Sequence, residues 1–256
     1  MFFINILHFS ILCRLIKCLY IDKLKNKFNI KVGKRDTLEV YQMFLMYEVG
    51  PFSAKKREGF SVEQSFQKKI VKNEISVVIL AGGRASRMGG KDKGLIELDG
   101  APLIAYVHEV VKNKASHIFI SANRNTEQYS LYGEVIIDDL KDFQGPLAGI
   151  SKALKSCETK YLLVLPCDSP YIDSKLIDDM IAAMSLSDSD ICVAHDGSIM
   201  HATFALMKSN LSTSLDKFLD SGGRKMALWY RQQNTKRVDV SNHLEVLTNL
   251  NSPEDF

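Results

Sequence analysis

Residues 80–94 read Leu-Ala-Gly-Gly-Arg-Ala-Ser-Arg-Met-Gly-Gly-Lys-Asp-Lys-Gly, a stretch whose residue types suit polyphosphate chemistry. Gly82, Gly83, Gly89 and Gly90 let the backbone come close to a bulky group and turn its amides inward. Arg84, Arg87, Lys91 and Lys93 add positive charge against a single acid, Asp92. Backbone amides together with cations are what a triphosphate requires before a second nucleophile can approach it. Farther along, Asp168 follows the apolar run Tyr161–Leu165. A carboxylate there can hold a hard cation at the phosphates, or it can cap the next helix or brace a turn. Two familiar phosphate-binding spellings fail. A P-loop needs GxxxxGK[ST], yet Gly90-Lys91 is followed by Asp92, and Ala85 stands where the first glycine belongs. The adjacent pair Gly82-Gly83 does not fit the dinucleotide fingerprint GxGxxG.

The elements that must position these residues follow from hydrophobic periodicity. Ile75–Leu80 is a short, β-branched, apolar run ending at glycines, which predicts a buried parallel strand. Further strands are expected at 118–121, 135–137, 161–165, 191–194, 203–207 and 238–240. Helices are expected at 102–112, 146–154 (with Pro146 in its first turn), 174–184 (capped by Ser174), 211–219 and 226–233. Alternating strands and helices imply an α/β layered domain with a mostly parallel sheet. Ligands of such sheets sit at the carboxyl ends of the strands. That rule collects residues 81–94, 122–124, 138–139 and 166–169 along one edge.

Charge divides the chain. Residues 1–74 hold 14 Lys/Arg against 7 Asp/Glu, while residues 75–256 hold 19 against 23. A basic head of +7 therefore precedes a body of −4, and the body lacks the basic character of a nucleic-acid binder. The apolar stretch 1–21 is interrupted by Arg14 and Lys17, so it offers no uncharged run for a membrane span and does not follow the order of a signal peptide. It is read as an extension rather than as an interfacial helix, so membrane contact through it is not expected. Five cysteines without a CxxC pair fit a reducing compartment. Cys167 is read as strand-end packing. His195 and His201 are read as packing or turn residues, with no metal role.

The spelling LAGGxxxRMGxxDK resembles the signature loop of sugar-phosphate and cofactor nucleotidyltransferases. Three later segments bring the resemblance to the molybdenum cofactor guanylyltransferase family: Ala122-Asn123-Arg124, Gly145-Pro146-Leu147-Ala148-Gly149 and Pro166-Cys167-Asp168-Ser169-Pro170-Tyr171-Ile172. The ending Asn249-Leu-Asn-Ser-Pro-Glu-Asp255 resembles the Asn-x-Asn-Thr-Pro-x-Asp close of that family. The likeness runs from about residue 75 to 256. It departs from the family at His201-Ala202, where relatives carry His-Pro or Gln-Pro, and in the long head.

What the resemblance implies is a three-layer, Rossmann-like nucleotidyltransferase domain over 75–256, with an unassigned, poorly defined or partly disordered basic extension over 1–74. It implies GMP transfer from GTP to the molybdopterin cofactor. Lys93, Arg87 and Asp168 would be catalytic. Leu80, Ala81, Gly82, Gly83, Lys93, Asn123, Asp138 and Asp168 would contact GTP, and Asp168 would hold Mg²⁺. Asp138 could accept hydrogen bonds from the guanine ring N–H and amino group, or it could simply end a strand in water with Asp139. Gly145–Gly149 would shape the cleft at a helix start, and Asn249 and Asn251 would face the cofactor or cap a helix. Implied partners are GTP, the molybdopterin cofactor and cofactor-insertion proteins, in the cytoplasm. Alternatives are a relative using CTP or another nucleotide on a phosphate acceptor, and a non-catalytic nucleotide-binding chaperone.

Overall fold

The structure is a computed structural model that describes residues 70–82, 92–137 and 145–250. Residues 1–69 of the extension expected at 1–74, most of the glycine loop, Asp138-Asp139 and the closing residues 251–256 lie outside the described residues.

Strand β1 (Ile75–Leu80) has five fully buried residues and a sixth at its end that is half-buried. It lies inside a seven-stranded sheet, which explains its nearly continuous apolar spelling. The other strands of that sheet are β4 (His117–Ser121), β5 (Glu134–Ile136), β6 (Tyr161–Pro166), β7 (Ile191–His195), β8 (Met200–Lys208) and β9 (Thr235–Asp239), in the order β5-β4-β1-β6-β8-β7-β9. A separate pair, β2 (Glu97–Leu98) and β3 (Ala101–Pro102), forms a small hairpin through Asp99 and Gly100, both with positive φ. In the large sheet β5, β4, β1 and β6 run parallel, as do β7 and β9. β8 alone among these runs antiparallel, to both β6 and β7. The sheet is therefore mostly parallel, as its sequence implies.

Helices cover both faces. On one side α1 (Leu103–Val111) and α4 (Ser174–Ser185) pack Ile104, Val107, Val111, Leu176, Ile177 and Met180 against Val77 and Ile79. On the other side α3 (Pro146–Ser156), α5 (Ser212–Asp220) and α6 (Met226–Tyr230) pack Leu147, Ile150, Leu215, Phe218, Trp229 and Tyr230 against Val78, Leu162 and Val164. The alternation of β1 side chains between these two cores gives a three-layer body. A one-turn helix, α2 (Thr126–Tyr129), follows β4.

Three details differ from the sequence reading. Asp173, not Ser174, caps α4, its carboxylate accepting from the Leu176 amide at 2.9 Å. The helix from Met226 stops at Tyr230, and the strand expected at 238–240 occupies Thr235–Asp239. Within the expected extension, Ile70 is buried in the first core and Glu74 pairs with Lys160 at 2.8 Å.

Candidate active site

The sheet register sets the site. Leu80 aligns with Ser121 of β4 and with Pro166 of β6, so the three strands end on one row. The amide of Ala81 donates to Ser121 O at 2.9 Å, that of Cys167 to Leu80 O at 3.2 Å, and that of Ala122 to Ile136 O at 3.2 Å. Ala81-Gly82, Ala122-Asn123 and Cys167-Asp168 thus leave the sheet side by side, at its carboxyl edge.

At that edge the Lys93 ammonium donates to Asp168 Oδ2 at 3.3 Å. Lys93 opens a short 3₁₀ turn (Lys93–Leu95) and stays partly exposed, whereas Asp168 is buried to 9% residual exposure. A buried carboxylate demands partners. Its Oδ1 accepts from Asn249 Nδ2 at 3.0 Å, and Asn249 Oδ1 accepts from the Ser169 hydroxyl at 3.1 Å. The Leu250 amide donates to Asp168 O at 2.9 Å, clasping this late segment of the chain to the same turn. Asp168 therefore does not cap the next helix. It is held as a positioned anion facing a cation.

Behind the pair lies a second arrangement. Asp92 is buried to the same degree as Asp168. Its Oδ1 accepts from the Tyr129 hydroxyl and its Oδ2 from Asn125 Nδ2 at 3.2 Å. Burial, the neighbouring Cys167 and the bond to Asp92 push the Tyr129 hydroxyl well above its ordinary pKa, so it remains a donor. Burial, then the charges of Asp168 and Asp92, push the Cys167 thiol well up. A thiol so raised is a poor nucleophile at neutral pH, which agrees with its reading as packing.

The Gly145–Gly149 segment needs its glycines for two different reasons. Gly145 precedes α3 at φ 78°, ψ −171°, a region that side chains avoid. Gly149 lies inside α3, and a Cβ there would stand 2.0 Å from Ser121 Oγ and 2.9 Å from Ser121 Cβ. The helix is pressed against the strand that leads into Asn123. On the opposite flank, Asp196 in the β7–β8 hairpin accepts from the amides of Ser198 (2.8 Å) and Ile199 (2.6 Å) and pairs with His201 Nε2 at 2.9 Å. The His201 hydrogen bond, then the two amides, hold Asp196 well below the usual carboxylate range.

Of the residues expected from sequence, the structure brings together Leu80, Ala81, Gly82, Lys93, Asn123 and Asp168 along one edge. Gly83, Arg87 and Asp138 lie outside the described residues. Asn249, which the sequence reading divides between facing the cofactor and capping a helix, bonds directly to Asp168. The grip of Tyr129 and Asn125 on Asp92 was not read from the sequence. An isolated tyrosine in an unpatterned stretch gives no sign of a partner 37 residues away.

Comparison with known proteins fits this geometry. The MobA-like NTP transferase domain family matches residues 77–236. A molybdenum cofactor guanylyltransferase from Vibrio atlanticus is 44% identical over 187 residues, covering 73% of this chain and 96% of the relative. One from Shewanella sediminis is 40% identical over 182 residues, covering 71% and 93%. Among solved structures, molybdopterin-guanine dinucleotide biosynthesis protein A from Archaeoglobus fulgidus superposes with a TM-score of 0.59 at 22% identity, over 70% of this chain and 94% of that one. At that identity the superposition speaks for the fold alone. Three strands ending on one row, a Lys93–Asp168 pair at their edge and relatives this similar over nearly their whole length agree: the chain belongs to the MobA-like NTP transferase family.

Proposed function

We propose that this chain transfers GMP from GTP to the terminal phosphate of the molybdenum–molybdopterin cofactor, releasing pyrophosphate and forming the guanine dinucleotide cofactor. The observation that carries the reading is the Lys93–Asp168 pair at the carboxyl edge of the sheet, in a chain whose relatives carry the name of this activity. An acceptor phosphate oxygen bonds to the α-phosphorus of GTP. The bond from that phosphorus to the β-bridging oxygen breaks, and pyrophosphate leaves with the electron pair. Leu80 to Gly83 and Asn123 serve the donor side, and Asp138 is the acceptor for the guanine ring N–H and amino group. Lys93 and Arg87 neutralise charge that grows on the phosphate oxygens during displacement. Asn249 keeps the Asp168 carboxylate in one orientation, and positioning of this kind supplies much of the rate.

Asp168 suits Mg²⁺ of the kind that arrives with a nucleotide. Each of its oxygens accepts a hydrogen bond and retains a lone pair, and Mg²⁺ characteristically takes one or two carboxylates with waters and phosphate oxygens. No cluster of three or more His, Cys, Asp or Glu residues able to cage a metal occurs among the described residues. Bound there, the ion would offset phosphate charge.

The same reading assigns the catalytic domain to residues 75–256, with Ile70 and Glu74 packed onto it, and leaves the rest of 1–74 as a basic extension. It places the protein in the cytoplasm with GTP, the molybdopterin cofactor and cofactor-insertion proteins as partners. Among the described residues no helix is long and apolar enough to cross a membrane. The test is turnover by the purified chain with Mg²⁺ and molybdopterin cofactor, comparing GTP, CTP, ATP and UTP. Guanylylated product from GTP alone, lost in Asp168→Ala, is expected. Preference for CTP would overturn the guanylyl assignment, and no turnover with any nucleotide would overturn the enzymatic one.

A further inference from the structure

Asp92 and Lys93 are adjacent, yet their side chains are engaged at different places. Asp92 is buried and takes neutral donors, Tyr129 and Asn125, while Lys93 reaches the charged Asp168. The 3₁₀ turn they enter is fixed by the Leu95 amide on Asp92 O and the Ile96 amide on Lys93 O, both at 3.1 Å. Gly94 presses that turn flat. A Cβ on it would stand 2.6 Å from the Tyr129 hydroxyl oxygen and 3.2 Å from Cys167 Sγ. One tyrosine hydroxyl thus touches both the carboxylate before Lys93 and the backbone after it. The thiol on the far side belongs to the residue immediately before Asp168. Asn125, which supplies the second donor, is itself set in left-handed backbone at φ 51°.

We propose that Asp92, gripped by Tyr129 and Asn125, is the positioning residue of the transfer reaction, fixing where the Lys93 ammonium stands relative to Asp168 and the phosphates. This rests on the guanylyltransferase reading given above. A pairwise grip of this kind matters because a displacement of about 1 Å in a charge-stabilising group can cost on the order of a hundredfold in rate. The two side-chain donors to Asp92 among the described residues, Tyr129 and Asn125, are neutral, so the grip acts by orientation.

The test is a double-mutant cycle on the full chain between Tyr129→Phe, which removes the hydroxyl and keeps the ring, and Lys93→Ala. Tyr129→Phe is expected to lower kcat about tenfold or more and to leave KM for GTP within about twofold. In the Lys93→Ala background it should cost almost nothing further, because residues acting through one another are not additive. Asp92→Asn should reproduce the pattern, since it puts an NH₂ against either the tyrosine O–H or the Asn125 amide. An equal kcat loss from Tyr129→Phe with and without Lys93, or no loss at all, overturns the proposal. A crystal structure of the Tyr129→Phe chain separates this from the functional reading. A Lys93–Asp168 pair that has opened supports positioning whatever nucleotide the enzyme uses. A pair still at its native distance overturns it, even in a chain that proves to transfer no nucleotide.

Discussion

Gly149→Ala adds one methyl group to α3 where α3 meets β4. In an exposed helix that change stabilises by about 1 kcal/mol, because alanine loses less backbone freedom than glycine. Here the new Cβ would lie 2.0 Å from Ser121 Oγ. Rotating the hydroxyl away does not suffice, since Ser121 Cβ itself would be 2.9 Å distant. Helix and strand must separate. Overpacking of this sort costs about 1–3 kcal/mol, and a contact so short belongs at the upper end. The net loss is then about 2 kcal/mol after the helical gain, or about 4–8 °C in Tm for a domain of this size. Differential scanning calorimetry of the two chains measures it. The companion is Ser121→Gly, which removes both clashing atoms. In that background Gly149→Ala should reverse sign and stabilise by about 1 kcal/mol. The activity should follow the same cycle, because Ser121 leads directly into Ala122-Asn123. A Gly149→Ala chain with raised Tm, or one destabilised equally in the Ser121→Gly background, would refute the reasoning.

Other consequences are as direct. Lys93→Ala is expected to reduce kcat on the order of a hundredfold, as for loss of one donor to a transition-state anion; a drop confined to KM would show that Lys93 only binds. In Asn249→Ala, Asp168 loses its Oδ1 partner, so Mg²⁺ titrations of activity should saturate at higher metal concentration, and an unchanged titration would contradict that role. Asp196 has a depressed pKa, so its contribution to stability is complete above its unfolded value of about 3.9 and disappears as pH falls toward the folded one. His201→Ala should raise the Asp196 pKa in NMR titration and move the acid transition of the hairpin to higher pH. The buried Tyr230 hydroxyl donates to Ala202 O at 2.9 Å, and Tyr230→Phe should cost about 1 kcal/mol in urea denaturation.

The parallel strands were legible because burial on both faces leaves a nearly continuous apolar run, as in Ile75–Leu80, broken only by Ser76, and Tyr161–Leu165. β9 was displaced in the reading because Thr235, Lys236 and Arg237 are polar or charged: it is an edge strand, and Val238 is its one buried residue. The reversal of β8 could have been inferred. Only a few residues separate the strands expected near 194 and 203, too few for the crossover that parallel neighbours require. The meeting of Lys93 and Asp168 at one edge followed from their placement beyond strands that end together. The Asp92 grip did not, because a hydrogen bond between Tyr129 and Asp92 depends on how α2 folds back toward the start of the 3₁₀ turn, and no local pattern encodes that approach.

The reversal of β8 has a consequence for which part of the rim can vary. Segments leaving parallel strands must cross the body before they return, so altering them disturbs a helix. The link between β7 and β8 starts and finishes at the same rim. Its Asp196–Ile199 tip, closed by Gly197 at φ 93° and ending in an exposed Ile199, joins two adjacent strand ends and is braced by the Asp196–His201 pair. The rim at the ends of β1, β4 and β6 is tied to the layered interior, whereas this corner hangs from a hairpin. Substitutions at this corner need not repack the helices that hold the Lys93–Asp168 edge.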